Sequence, residues 1–114
     1  MGWQQRWWRF GAVAIALAVG ATDAKAFLAI GNGTGSCGAW TADRRRPMGL
    51  VAQAEEQWIL GFLSGVGYES QDTIDPLNNV DAEAVWAWMD NYCLAHPLER
   101  IMQAAEAFVI EHPR

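Results

Sequence analysis

The stretch VDAEAVWAWMDNYCLAHP, Val80 to Pro97, decides the fold because it carries the signals of a complete amphipathic helix ending at His96. Asp81 is a good N-cap, and Val80 and Val85 stand on either side of it at the spacing of a hydrophobic staple. At 100° per residue the apolar side chains gather on one face. The centre and the two edges of that face consist of Val85, Met89, Tyr92, Cys93, Trp86 and Trp88. We therefore expect Cys93 to face the core.

Two further helices are predicted around this one, from Met48 to about Gly65 and from Pro97 to about Glu111. The part of the first from Trp58 to Leu63 is apolar on every side, which predicts a central helix that is covered on every side. Proline is favoured at the first position of a helix, as Pro97 would be. The apolar stripe of the last helix consists of Leu98, Ile101, Met102, Ala105, Phe108 and Val109. The predicted fold class is all-α, a small three-helix domain.

Gly61 and Gly65 stand one turn apart on the predicted central helix. Small residues at this spacing are typical of paired membrane helices, and also of two helices that pack closely inside a domain. The apolar run around them is too short to span a bilayer, so close packing inside the domain is the favoured interpretation.

The first 26 residues have the order of parts of a secretory signal peptide. Arg6 and Arg9 are followed by an uncharged, mostly apolar run from Phe10 to Gly20 and then by Ala24-Lys25-Ala26. An uncleaved amphipathic anchor is the alternative. With cleavage after Ala26, the mature chain is a single helical domain, residues 27–114, placed in the periplasm, with no membrane contact after cleavage. Its first part, residues 27–47, is rich in glycine and predicts a flexible lead-in fixed only at Cys37.

The chain has two cysteines, Cys37 and Cys93, and both lie after the predicted cleavage site. A cysteine pair in a small exported chain favours a disulfide. Closing a loop of this length contributes on the order of 4 kcal/mol in the chain-entropy model. The disulfide is therefore predicted to staple the three helices together.

Cys93 and His96 form a Cys-x-x-His sequence, for which a nucleophile or a metal ligand is the alternative to a disulfide. A bonded sulfur can act as neither. His96 and His112 without two thiolates leave too few ligands for a closed zinc site, so no metal or other cofactor is predicted. His96 is interpreted as a cap between two helices, with pH sensing as the alternative.

The net charge of the mature chain limits the kinds of partner that it can bind. The mature chain has five arginines, no lysine and twelve carboxylates, which gives a net charge of −7 with neutral histidines. Nucleic acid and anionic membrane surfaces are poor partners for such a chain. No phosphate-binding loop, nucleophile elbow or metal-ligand cluster is present in the sequence, so we predict a binding protein and not an enzyme.

The mature sequence resembles the periplasmic HdeA/HdeB acid-stress chaperones. The resemblance rests on Cys37 near the mature N-terminus, a first helix that bears Trp58, an acidic loop, and the pattern Tyr92-Cys93-x-x-x-Pro97. It implies a disulfide-bonded homodimer that loosens in acid and shields unfolding client proteins. The surface for the dimer or for clients would then lie around Trp58, Phe62, Trp86 and Trp88.

A second resemblance points to another class of function. The segment Trp58-x-x-Gly-Phe-Leu-Ser-Gly65, the later Tyr-x-x-x-His-Pro and the helix with Ala104-Ala105-Glu106 are similar to periplasmic immunity proteins. Those proteins neutralise cell-wall amidase toxins of secretion systems. This resemblance implies a specific inhibitor with one cognate toxin as its partner.

Overall fold

The computed structural model describes residues 27–70 and 72–114, and this part of the chain is helical. It forms a short 3-10 turn, Asn32–Thr34, and four α-helices: α1 Cys37–Arg44, α2 Leu50–Glu69, α3 Ala82–Ala95 and α4 Ile101–Glu111. Within these ranges no strand forms beyond an isolated bridge between Ser36 and Arg100. The all-α prediction is confirmed, with four helices where three were predicted.

The additional helix, α1, lies inside the stretch that was predicted to be a flexible lead-in. The Ser36 hydroxyl caps it by accepting a hydrogen bond from the backbone N–H of Ala39 at 3.0 Å. Cys37 and Trp40, one turn apart, are both fully buried. The prediction of an unstructured stretch was wrong here, because burial of these two side chains holds a helix of only eight residues.

The last helix begins at Ile101, four residues later than predicted. The backbone before it is engaged elsewhere: the N–H of Cys37 donates to the carbonyl of Glu99 at 2.7 Å, and the N–H of Gly38 donates to that of Pro97 at 3.0 Å. These carbonyls satisfy the first donors of α1, which have no partner within their own helix. Leu98, expected on the buried stripe, is consequently 96% exposed.

The core lies between α1, α3, α4 and one side of α2. Fully buried members come from all four helices: Cys37, Trp40, Ile59, Leu63, Val85, Met89, Cys93, Ile101 and Ala104. Helix α3 follows its predicted design, with the Asp81 carboxylate accepting from the N–H of Ala84 at 2.8 Å. Its Val85, Met89 and Cys93 face inward.

A charged network fastens α1 to α2 and α3. The Arg44 guanidinium donates to Asp90 on α3 through Nε and Nη2, at 3.0 and 2.9 Å, and to Glu56 on α2 through Nη1 at 2.8 Å. The indole N–H of Trp40 donates to the same Asp90 at 2.9 Å. A two-point arginine–carboxylate pair fixes geometry as well as charge. The positions of α1, α2 and α3 are therefore set by polar as well as apolar contacts.

Candidate partner-binding site

The predicted disulfide is confirmed. Cys37 on α1 and Cys93 on α3 are bonded, with their Cα atoms 4.7 Å apart and both side chains fully buried. Disulfides of this kind persist in proteins that fold in oxidising compartments. Because Cys93 has no free thiol, the Cys93-x-x-His96 pair is not a nucleophile or a thiolate metal ligand.

His96 has the capping position that the sequence predicted. It is the C-cap of α3; its Nδ1 lies 2.9 Å from the carbonyl oxygen of Tyr92, and its ring stacks on the Tyr92 ring at 4.2 Å. His112 repeats this arrangement at the end of α4, with Nδ1 3.3 Å from the carbonyl of Phe108 and a ring separation of 4.5 Å. The sequence signal is aromatic-x-x-x-His-Pro, which occurs at both helix ends; from the sequence only the first occurrence, Tyr92 to Pro97, was recognised.

The four aromatic residues predicted to bind a partner do not form one surface. Trp86 is only 7% exposed and packs at 6.2 Å from Trp40 in the core. Trp88 is half-buried on the side of α3 that faces α4, stacked on Tyr92 at 5.0 Å and edge-on to Phe108 at 5.1 Å. The ring contacts of both lie with residues of α1, α3 and α4, whereas Trp58 and Phe62 contact each other.

Trp58 and Phe62 do lie together. Their rings stack at 5.6 Å on α2, and both are half-buried. Residues 27–31 run beside them without helix or strand: Phe27 stacks on Phe62 at 6.3 Å, and the indole N–H of Trp58 donates to the carbonyl of Ile30 at 2.8 Å. This part of the chain leaves Leu28 and Ile30 largely exposed.

Beside this aromatic pair lies an exposed face of α2 that we call the open face. Its residues fall within about 60° of one direction around the helix: Leu50, Gln53, Ala54, Gln57, Gly61, Ser64, Gly65 and Tyr68, all exposed. None of them is charged. Glu55 is buried and Glu56 is bound to Arg44, so the first exposed carboxylate of α2 is Glu69, at its last residue.

The two glycines of the open face are not needed for packing within the domain. A β-carbon added to Gly61 or Gly65 would have no neighbouring element within 4 Å. The prediction that α2 is covered on every side was wrong, because the other helices all pack on its opposite side. A shallow groove of about 420 Å³ follows the open face along Gly61, Phe62, Gly65 and Val66.

Among the residues that the structure describes, one carboxyl group is buried, that of Glu55 on α2, which is 3% exposed. Burial, together with the nearby Asp43 of α1, raises the pKa of Glu55 to about 7. A carboxyl group whose pKa is raised toward neutral pH can serve as a general acid or base in catalysis. Here Glu55 lies in the interior, out of reach of a substrate, and no catalytic role follows from it.

Comparison with known proteins found no matching family model, no matching curated protein and no matching solved structure. Within residues 27–70 and 72–114, no helix has the length and apolar character to cross a membrane. The same residues contain no cluster of three or more side chains suited to hold a metal ion. The predicted signal peptide, residues 1–26, lies outside the described residues.

Proposed function

We propose that the protein is a periplasmic binding protein that inhibits one folded partner, as do the immunity proteins that it resembles. The observation that carries the proposal is the open face of α2. Exposed faces of surface helices are normally rich in charged residues, whereas the centres of protein interfaces are depleted of them. A mature chain, residues 27–114, with a net charge of −7 that keeps eight exposed positions on one helix uncharged has a surface suited to burial against a partner.

The contacts that fix α2 in the domain favour a specific partner for the open face. Helix α2 is fixed from behind by the buried side chains of Ile59 and Leu63 and from its flank by the bond between Glu56 and Arg44. The buried disulfide joins α1 to α3 within the same core. A surface that is already ordered loses little conformational entropy on binding, which favours tight recognition of one shape.

Acid-activated chaperone activity, implied by the resemblance to HdeA and HdeB, is the second candidate. It is favoured by apolar side chains exposed on several sides of the domain: Leu28, Ile30, Met48, Leu98 and Ile110 are each at least 79% exposed. Scattered apolar contacts suit a protein that binds many unfolded clients. Such a protein would need no single uncharged face.

Placing a charge on the open face tests the inhibitor proposal. The variants Gly61→Glu and Gly65→Glu should fold, because the sites are open and glutamate is a better helix former than glycine. The control is Ala87→Glu, which adds the same charge at an exposed position of α3. We expect the mature protein to inhibit a secreted cell-wall amidase encoded beside its gene, and the two glycine variants to lose at least tenfold in affinity, whereas Ala87→Glu does not.

The outcomes separate the two candidates. If the protein does not inhibit the amidase but prevents aggregation of an acid-sensitive client below about pH 3 and not at pH 7, the chaperone proposal takes precedence. If Ala87→Glu weakens inhibition as much as the glycine variants do, the partner does not bind the open face.

A further inference from the structure

The aromatic pair of α2 is partly covered by the first residues of the described chain. The ring of Phe27 stacks on that of Phe62 with the centroids 6.3 Å apart, which is within the range of an attractive ring contact. The carbonyl oxygen of Ile30 accepts the indole N–H of Trp58 at 2.8 Å. We call residues 27–30 the strap, and it contacts the aromatic pair through its first and its last residue.

Few other contacts hold the strap. The backbone N–H groups of Leu28, Ala29 and Ile30 donate no hydrogen bond to the other described residues. Leu28 and Ile30 are 88% and 79% exposed, so their side chains contribute little apolar burial. Segments with few buried contacts and unpaired backbone groups open more easily than the rest of a domain. The two contacts with the aromatic pair therefore keep the strap in place.

The chain becomes firmly fixed directly after the strap. Gly31 has a φ of 103°, a conformation that favours glycine, and its carbonyl accepts from the N–H of Thr34 at 3.1 Å. The carbonyl of Gly35 accepts from the N–H of Ile101 on α4 at 2.9 Å. A change of backbone dihedrals at Gly31 is thus enough to move the strap away from α2 while the core stays intact.

The strap shows which chemical groups the aromatic pair accepts. These are an aromatic ring stacked on Phe62 and, three residues later, a backbone carbonyl for the indole N–H of Trp58. An unpaired segment of another protein that carries an aromatic side chain offers the same two groups. Phe62 also lines the groove of about 420 Å³ along the open face, so the site for such a segment is continuous with that groove.

We propose that Trp58 and Phe62 form a binding site for a peptide segment that carries an aromatic side chain, and that the strap is a releasable occupant of this site. A partner's segment displaces the strap, and the aromatic pair then joins the open face in one binding surface. The contacts that carry this inference lie within one chain, so it does not rest on the proposed inhibitor function.

The first test measures release of the strap in the mature protein by hydrogen exchange of the Trp58 indole N–H, followed by nuclear magnetic resonance. In Phe27→Ala the ring contact is lost, and this exchange should accelerate about 2- to 10-fold, the usual contribution of an aromatic pair. The control is Leu28→Ala, whose side chain is already exposed, and it should exchange as the unaltered protein does. Equal exchange in Phe27→Ala and the unaltered protein would overturn the proposal.

The second test supplies the strap as a separate ligand. The end-blocked peptide Phe-Leu-Ala-Ile is added to the Phe27→Ala protein, and the Trp58 indole signal reports binding. A short tethered segment has an effective concentration in the millimolar range. A strap that is seated in the folded chain therefore implies a dissociation constant in or below that range for the peptide. The peptide Ala-Leu-Ala-Ile, which lacks the ring, is the control and should leave the signal unchanged.

A second substitution locates the bound peptide. Adding Phe62→Ala to the Phe27→Ala protein should abolish binding of Phe-Leu-Ala-Ile, because the ring that receives the peptide's aromatic side chain is gone. Binding of both peptides alike, of neither, or of Phe-Leu-Ala-Ile without Phe62 would overturn the proposal. None of these measurements uses the amidase, so their failure is distinguishable from failure of the inhibitor proposal.

Discussion

Gly33 lies directly beneath the indole ring of Trp58, so close that a β-carbon at position 33 would stand 2.3 Å from two ring atoms. The backbone of the 3-10 turn that contains Gly33 therefore packs directly against the ring of Trp58, one of the aromatic pair of α2. This contact explains why the glycine-rich segment is ordered: absence of a side chain at one position lets a large aromatic ring cover the turn.

Replacement of Gly33 by alanine should destabilise the protein by about 1–3 kcal/mol, the usual cost of overpacking a filled site. Trp58 would have to move, losing its hydrogen bond to Ile30 and its stacking on Phe62. Urea unfolding followed by tryptophan fluorescence measures the loss. The control is Gly35→Ala, where the nearest atoms would be at ordinary contact distances of 3.5 and 3.7 Å and the effect should stay within about 0.5 kcal/mol. Equal stability of the two variants would contradict the packing described.

Replacement of Arg44 by alanine should cost about 1–3 kcal/mol, because it leaves the carboxylates of Glu56 and Asp90 without their partly buried counter-charge. Arg44 also lies over the Trp40 ring, at 5.3 Å from its centroid. The adjacent Arg45 is exposed, and its replacement should change stability by less than about 0.5 kcal/mol. Thermal unfolding of the two variants side by side tests this difference. If they melt together, the network does not stabilise the fold.

Local sequence was sufficient for some elements and not for others. Helix α3 was predictable because its cap, its apolar face and its cysteine all lie within one stretch. Helix α1 was missed because its stability comes from burial of Cys37 and Trp40 against residues far along the chain. The start of α4 was misplaced for a similar reason, since the carbonyls of Pro97 and Glu99 serve α1.

The candidate site shows the same limit. The helical wheel placed Trp86 and Trp88 at the two edges of one face. Which of the two is buried depends on the position of α1, because Trp40 of that helix packs against Trp86. The spacing of Gly61 and Gly65 indicated close approach of another helix. Which face of α2 the other helices leave open is a property of the whole fold, and no local pattern records it.

Substitution of the exposed glycines Gly61 and Gly65 can separate the stability of the domain from its binding to a partner. Each glycine inside a helix costs roughly 0.5–1 kcal/mol relative to alanine, and neither Gly61 nor Gly65 is repaid by close packing within the described residues. We therefore expect Gly61→Ala and Gly65→Ala each to stabilise the isolated domain by about that amount, measured by urea unfolding. If the open face receives a closely packed partner, the added methyl groups should weaken binding of that partner while the domain itself becomes more stable. Destabilisation by either substitution would show that this side of α2 is already covered in the isolated protein.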